Sequence, residues 1–432
     1  MNKLKFIILL TIIFILSCGF TTNNNLYTNE NFILENIKEI TSNTREFGST
    51  GELKACEYLN NKLKEYNYNT YIQKFPVYKQ EIFQLNSNTD YFNLNPLDCK
   101  QLGVAKNIIA TQPNFDKNKK TIYLVAHYDT TADTIGVIDN ATGAAAILDI
   151  ARVINNYKLP YNIKIVLFSA EEYAIYGSKY FVSNLTEKEK DNILGVINID
   201  MIGEKNAGNI TIRTSYPYNN IISILMKDKF KNKFEFISGV NSDQLSFYMG
   251  KIPAVTFTNK EPKKFNGNDQ FDFLDVDQIK DTSDSIIEFL STFNLKKYHR
   301  LLDKDNGFNL NIQDCIFYRP KGFKLVSIRE LLLENGFGSE IIYDYRNNED
   351  KKFILREKDR KFFNVDRCDD FIKLDNYNNF YKITNKKSLN DETEIIYRLG
   401  QHYGVLRTNT TLDESMKFFK EYYNEYRKNT FG

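Results

Sequence analysis

The chain has 432 residues, of which 42% are hydrophobic and 26% are charged, and its formal net charge is +2. This length predicts two or three globular domains. The near-neutral charge and the lack of a dense basic patch argue against a nucleic-acid partner.

The first residues have the form of a secretory signal peptide. Lys3 and Lys5 precede an apolar run over residues 6–16. That run is too short to cross a bilayer, which takes about 20 apolar residues. A basic start and a short apolar core predict export from the cytoplasm, with residues 1–18 as the signal.

A cysteine stands where the apolar run stops. The stretch Ile15-Leu16-Ser17-Cys18 resembles a bacterial lipobox, in which Cys18 would be lipidated and become the mature N-terminus. Residues 19–30 would then tether the protein to the cell membrane. The alternative is an ordinary cleaved signal in which Cys18 has no role, and the protein would then be secreted.

Four further cysteines follow: Cys56, Cys99, Cys315 and Cys368. An even number outside the cytoplasm permits disulfide bonds, but the wide spacing leaves their pairing open. The sequence contains no CxxC motif, which argues against a cysteine zinc site or a redox pair.

Residues 31–295 predict alternating helices and strands, from apolar residues at helical spacing and from short apolar runs. Buried strands separated by helices are typical of an α/β three-layer sandwich with a mostly parallel central sheet. The predicted helices cover residues 31–43, 140–157, 172–184 and 276–293, with one more after Ser49, and the predicted strands cover residues 70–77, 105–111, 121–126, 162–169, 193–199, 209–213, 234–237 and 253–257.

The sequence changes character after a charged segment, residues 296–310, which we interpret as a linker. Residues 311–432 contain short strand-like runs and end in an amphipathic helix over residues 412–423. This pattern predicts a small C-terminal α+β domain, to which the sequence assigns no function. Its many aromatic residues either form a binding face or fill a small core.

Residues that bind metals or move protons follow three of the predicted strands. His127 and Asp129 follow the predicted strand over residues 121–126. Glu171 and Glu172 follow the strand over residues 162–169, and Asp200 follows the strand over residues 193–199. The carboxyl ends of parallel strands meet at one edge of an open α/β sheet, so these side chains should converge there. Another acid, Asp139, directly precedes the predicted helix over residues 140–157.

Each of these residues taken alone has a structural explanation. An aspartate after a strand usually belongs to a turn, one before a helix is usually a cap, and paired glutamates commonly open a helix. The combination is more specific. The chain has only three histidines, and one of them, His127, heads a His-x-Asp motif directly after an apolar strand.

The order of these motifs resembles the M28 family of zinc aminopeptidases, and the match covers about residues 30–293. The motifs are His127-x-Asp129, Asp139-Asn140-x-Thr142-Gly143, Ala170-Glu171-Glu172-x-x-x-x-Gly177-Ser178 and Ile199-Asp200-Met201-Ile202-Gly203, with Arg45-x-x-Gly48-Ser49 and Asn107-Ile108-Ile109-Ala110 upstream.

The resemblance implies an aminopeptidase that removes N-terminal residues from peptides outside the cytoplasm. Glu171 would be the general base that takes a proton from a metal-bound water, and Asp129 would orient the imidazole. One or two zinc ions per chain would be bound. The implied ligands are His127 and Asp200 for one ion, Glu172 for the second, and Asp139 as the bridge between them.

One feature of the family is missing. The family places a fifth ligand, a histidine, in a loop after the last core strand, and the matching position here is Asn268. No histidine lies between Asp129 and Tyr298. Asn268 or Asp269 could offer an oxygen instead, which at the second site suits manganese or another divalent ion better than zinc.

Three outcomes of this replacement stay open. The protein is a two-metal enzyme with a substituted ligand, a one-metal enzyme, or a catalytically impaired surface protein that binds a peptide or an envelope partner. Glutaminyl cyclase chemistry, which occurs on the same fold, relies on the missing ligand position and is disfavoured. The sequence leaves the oligomeric state unknown.

Overall fold

The structure is a computed structural model. It describes residues 27–78, 81–83, 100–215, 220–239, 242–263, 269–304, 322–333, 339–349, 351–358, 372–374, 379–384, 393–399 and 402–431. Several residues singled out above lie outside these ranges, namely Cys18, Cys99, Asn268, Cys315 and Cys368. Cys56 is buried, and it forms no disulfide within the described part of the chain.

The described residues between 27 and 304 form alternating helices and strands, as the sequence predicts. The helices are α1 (Glu30–Ile40), α2 (Thr50–Glu65), α3 (Thr142–Ile154), α4 (Tyr176–Ser183), α5 (Glu187–Asp191), α6 (Ile221–Phe230), α7 (Gln244–Met249), α8 (Val276–Thr292) and α9 (Leu295–Lys304). The strands are β1 (Asn69–Tyr78), β2 (Glu81–Phe83), β3 (Gln101–Thr111), β4 (Thr121–His127), β5 (Asn162–Phe168), β6 (Ile193–Ile199), β7 (Ile210–Thr214), β8 (Glu235–Ser238) and β9 (Ala254–Asn259).

Eight strands form a mixed, mostly parallel sheet in the order β1-β3-β5-β4-β6-β9-β7-β8. The four central strands, β5, β4, β6 and β9, run parallel to one another. The pairs β1–β3, β3–β5 and β7–β9 are antiparallel, whereas β7 and β8 are parallel. The carboxyl ends of β5, β4 and β6 therefore lie side by side at one edge of the sheet.

Helices cover both faces of this sheet. Along β4, Ile122 and Leu124 face a core that contains residues of α1, α2, α3, α6 and α8, whereas Tyr123 and Val125 face a second core with residues of α4 and α7. The alternation follows from the two-residue period of a strand. The predicted three-layer α/β sandwich is thus confirmed.

A second sheet contains most of the described residues between 322 and 408. Its strands are β10 (Lys324–Leu333), β11 (Ser339–Arg346), β12 (Lys352–Lys358), β13 (Ile372–Lys373), β14 (Phe380–Thr384), β15 (Thr393–Leu399) and β16 (His402–Thr408), and the chain ends in α10 (Leu412–Phe431). We call this sheet with α10 the back domain, and the first sheet with its helices the front domain. This confirms the predicted C-terminal α+β domain.

A strand from the N-terminal half of the chain pairs with the second sheet. The short strand β2, which precedes the central strands in sequence, pairs in parallel with β10 at the edge of the second sheet. The helix α9 occupies much of the segment that the sequence predicted as a linker, because Tyr298 on its inner face is buried in the front core.

The aromatic residues of the back domain mostly fill its core. Tyr343, Tyr345, Phe353 and Tyr397 are almost completely buried, and their rings contact neighbouring rings from the sheet and from α10. Among the described helices of the whole chain, none combines the length and the apolar character that a membrane span requires.

Candidate metal centre

Three potential metal ligands converge at the carboxyl edge of the front sheet. His127 ends β4, Asp200 directly follows β6, and Asp139 lies in an irregular turn, Val137–Ala141, that leads into α3. The Nε2 atom of His127 lies 3.1 Å from Asp139 Oδ1 and 3.2 Å from Asp200 Oδ1. One donor atom from each residue lies within 4.8 Å of the other two.

This donor set fits zinc. One N–H group cannot donate well to two carboxylates at once, whereas a cation at the centre would attract all three groups. An imidazole nitrogen and two carboxylate oxygens are ligands that zinc accepts, and three protein ligands leave a position open for catalysis. His127 is buried and the Asp200 side chain is only 13% exposed, so the site is largely shielded from bulk water.

Asp129 connects the imidazole to the glutamate pair. Its Oδ1 atom lies 3.5 Å from His127 Nδ1, the ring atom that faces away from Asp139 and Asp200. The same carboxylate accepts hydrogen bonds from the backbone N–H groups of Glu171, at 3.0 Å, and Glu172, at 3.3 Å. One buried acid therefore fixes both the ring and the turn that follows β5.

The glutamate pair lies in a strained turn. Ala170, Ala174 and Ile175 all have positive φ angles, of 60°, 63° and 50°. A non-glycine residue in this conformation costs about 1–2 kcal/mol, and a β-branched one such as Ile175 is rarer still. The predicted helix over residues 172–184 is therefore wrong in its first turn, and α4 begins only at Tyr176.

The glycine of the glutamate motif has a packing role. A Cβ atom on Gly177 would lie 2.1 Å from the carbonyl oxygen of Ser169, so no other residue fits there without a shift of the backbone. Asn107 donates a hydrogen bond to the Gly177 carbonyl and accepts one from the Ser169 N–H. The upstream Asn107 motif thus ties the end of β5 to the start of α4.

Asp269, which the sequence suggested as a possible replacement ligand, binds the backbone beside Asp139. Its carboxylate accepts hydrogen bonds from the backbone N–H groups of Ile138, at 2.9 and 3.0 Å, and Asp139, at 2.8 Å. Asp269 is almost fully buried and lies outside the group of three ligands. It therefore fixes the backbone that presents the Asp139 carboxylate. The cis peptide bond of this segment joins Asp139 to Asn140.

Arg45 places a buried positive charge behind the site. Its guanidinium donates hydrogen bonds to the carbonyl oxygens of Tyr128, at 2.5 Å, and Gly136, at 2.9 Å, and also to that of Ile135. Burial lowers the pKa of Arg45 to about 10, while nearby acids including Asp129 oppose that shift. The arginine of the upstream motif therefore shapes the loop that leads from β4 to Asp139.

The acids of the site repel one another. Burial, and then the neighbouring acid Asp139, raise the pKa of Glu172 to about 8. Burial also raises the pKa of Glu171 well above its usual value, and nearby acids add to this, although His127 opposes the shift. Burial alone would lower the pKa of His127, but Glu171 and Asp200 raise it well above its usual value. The described residues thus leave excess negative charge that a cation would relieve.

Asp243 is an acid of this region that the sequence analysis missed. It lies at the start of α7, is fully buried, and neither of its oxygens accepts a hydrogen bond within 3.5 Å from a described residue. Burial raises the pKa of Asp243 to about 7, and its charge acts on Glu171. The sequence offers only a weak signal for it, because Asp243 lies between the predicted strands over residues 234–237 and 253–257 and follows neither of them directly.

The sequence predicted Glu172 as a ligand of a second ion. The structure places it beside Asp139, whose charge contributes to its raised pKa, but outside the set of three donor atoms. Asn268, the position of the missing histidine, lies outside the described residues.

Replacing Asp129 with asparagine should weaken zinc binding about 10- to 100-fold, because the imidazole loses the carboxylate that orients it. Competition with a fluorescent chelator measures this affinity. Asp133→Asn, the same change at an exposed position four residues along, should leave it unaltered. Equal affinities for the Asp129→Asn variant and the unmodified protein would contradict the role given to Asp129.

Comparison with known proteins agrees with this site. Residues 107–290 match the model of Peptidase family M28. Aminopeptidase YwaD of Bacillus subtilis is 28% identical over 167 residues, which are 37% of this chain and 36% of that protein. The matched part thus spans about a third of that relative's length.

Solved structures show the same fold. The aminopeptidase of Aneurinibacillus sp. strain AM-1 superposes with a TM-score of 0.52 at 19% identity, covering 62% of this chain and 96% of that one. The glutaminyl cyclase of Bacteroides thetaiotaomicron gives 0.50 at 20% identity, covering 62% and 99%. At these identities the likeness concerns the fold alone. Residues 107–290 of the front domain thus carry the sequence pattern of peptidase family M28, and the front domain has the fold of these solved enzymes.

Proposed function

We propose that this protein is a zinc aminopeptidase that removes N-terminal residues from peptides outside the cytoplasm. The observation that carries the proposal is the meeting of His127, Asp139 and Asp200 around one point, beside Glu171. A catalytic zinc site needs such an open set of three ligands together with a neighbouring base. The aminopeptidase relative from Bacillus subtilis supports the reaction class.

The chemistry divides between the ion and the protein. A bound zinc ion acts as a Lewis acid and lowers the pKa of water towards about 7. Glu171 accepts a proton from the attacking water and delivers it to the leaving amine, a task for which a raised pKa is suited. Asp129 keeps the His127 ring and the Glu171 backbone in register through the contacts described above.

Replacing Glu171 with glutamine should lower kcat on amino-acid anilides by about 10²- to 10⁴-fold, because the proton acceptor is lost while the shape of the side chain is kept. Zinc content should stay unchanged. Glu187→Gln, the same change at an exposed position, serves as the control. Turnover that survives in Glu171→Gln would refute the assigned base.

We infer further that one zinc ion binds tightly and that the second position is weak. The chain has two other histidines. His299 is exposed on α9, which follows the 17-residue helix α8. Asp275, the residue before α8, donates its N–H to the Gly203 carbonyl near the carboxyl edge of the sheet. A helix of 17 residues is about 25 Å long, so the end of α8 that leads to α9 lies about 25 Å from this contact. His402 belongs to the second sheet.

Asp139 and Glu172 do not replace the missing imidazole at the second metal position. Asp269 is engaged by backbone N–H groups, which leaves Asp139 and Glu172 as the acids available to a second ion. Carboxylates alone favour manganese or another hard cation over zinc at such a position. Manganese or a similar ion could therefore occupy it at millimolar concentration.

Dialysed protein should contain about one zinc ion per chain by elemental analysis. Asn268→His should raise this to two, because it restores an imidazole where the family has one. Asn266→His, two residues away, is the matched control and should leave the content at one. Two tightly held zinc ions in the unmodified protein would overturn the inference.

A second candidate function is a catalytically impaired protein that binds peptides or an envelope partner. The asparagine at position 268 is the observation that favours it. Such a protein would keep its zinc and bind peptides without releasing amino acids. Peptides with an N-terminal glutamine, tested in the same assay, separate both candidates from cyclisation chemistry, the reaction named for the glutaminyl cyclase of the same fold.

The place of action is also proposed, from the lipobox-like stretch that ends at Cys18. Cells fed a labelled fatty acid should incorporate it into the protein, which should be found in the membrane fraction. Cys18→Ala should abolish the label, whereas Cys56→Ala should keep it, because Cys56 is buried in the front core. Labelling that persists in Cys18→Ala would exclude this anchor.

A further inference from the structure

The strained glutamate turn is held by hydrogen bonds within the turn and from Asp129 of its own domain. Within the turn, the Ile175 N–H donates to the Glu171 carbonyl, at 2.7 Å, and the Tyr176 N–H donates to the Ala170 carbonyl, at 2.9 Å. Asp129 accepts the two N–H groups on the side that faces the metal ligands. Strained backbone of this kind persists only where surrounding packing imposes it.

The back domain packs against the helix that follows the turn. Ala170 and Tyr176, which flank the turn, are buried in one continuous apolar cluster with Tyr343, Tyr345 and Phe353. The strand β10 lies against both β1 and α4. The back domain therefore packs against the element that immediately follows the two glutamates.

A series of aromatic contacts leads from β1 to the turn. The Phe75 ring stacks on the rings of Tyr180, at 4.9 Å between centroids, and Tyr176, at 6.2 Å. Tyr176 contacts Tyr173, the residue after Glu172, and Tyr173 contacts Phe47. These rings belong to the same cluster or pack directly against it.

We propose that the back domain is a positioning element of the active site, whose packing on α4 and Ala170 holds Glu171 and Glu172 in place. The ligands His127, Asp139 and Asp200 belong to other elements and do not take part in this apolar cluster. The back domain should therefore control proton transfer without controlling the first zinc ion. This inference rests on the proposed role of Glu171.

Two variants of the full-length protein loosen this packing from opposite sides. Phe75→Leu removes the ring that stacks on α4, and Tyr345→Leu removes a fully buried ring of the back domain. In both, the backbone amides of residues 171–176 should exchange with deuterium at least 10-fold faster. The kcat on amino-acid anilides should fall at least 10-fold, with KM and zinc content changed less than two-fold.

Phe289→Leu is the control, because this ring is equally buried but lies on α8 in the core of the opposite face. It should lower Tm by a similar amount without faster exchange at residues 171–176. Unchanged exchange in both test variants, or equal acceleration in the control, would overturn the proposal. The exchange measurement needs no turnover, so a protein without peptidase activity would refute the proposed function and leave this test valid.

Discussion

The crowding of negative charge at one edge of the front sheet is the constraint on which the rest of the structure depends. Asp139, Asp200 and Glu171 lie around a single imidazole in a largely buried site, where unpaired charges are costly. The raised pKa of Glu172, at about 8, reflects the same crowding. A divalent cation resolves the conflict, and the ligand types present are those of a zinc site with an open position.

Much of the surrounding structure serves to present these groups. Arg45 fixes the loop after β4 through main-chain carbonyls, and Asp269 fixes the backbone at Asp139 through N–H groups. Asp129 holds both the imidazole and the glutamate turn. Beneath them, Glu52 accepts hydrogen bonds from the Tyr128 and Ser169 hydroxyls and so links the ends of β4 and β5. The ligands are thus supported by buried polar side chains that form hydrogen bonds of their own.

The sequence predicted the three-layer sandwich and the convergence of His127, Asp139 and Asp200, because strand ends and residue type are local properties that topology then brings together. It failed where non-local packing decides. Ala170, Ala174 and Ile175 are left-handed where the sequence predicted a helical turn, and Ala170 and Tyr176 lie in an apolar cluster that includes residues of the back domain. The pairing of β2 with β10 joins residues far apart in sequence, and no local pattern reveals it.

The likeness to solved enzymes of two kinds shows why the site matters more than the fold. An aminopeptidase and a glutaminyl cyclase share this architecture with the chain at similar TM-scores. What separates chemistries on a shared fold is the set of side chains at the edge of the sheet. Among the described residues at that edge, the set has one histidine, His127, which lies with Asp139 and Asp200.

Crystals of the protein measured on both sides of the zinc absorption edge would test the central claim most directly. The account predicts a strong anomalous peak about 2.1 Å from His127 Nε2 and from carboxylate oxygens of Asp139 and Asp200. A zinc-supplemented crystal with no peak among these three residues, or with its peak on other side chains, would contradict it.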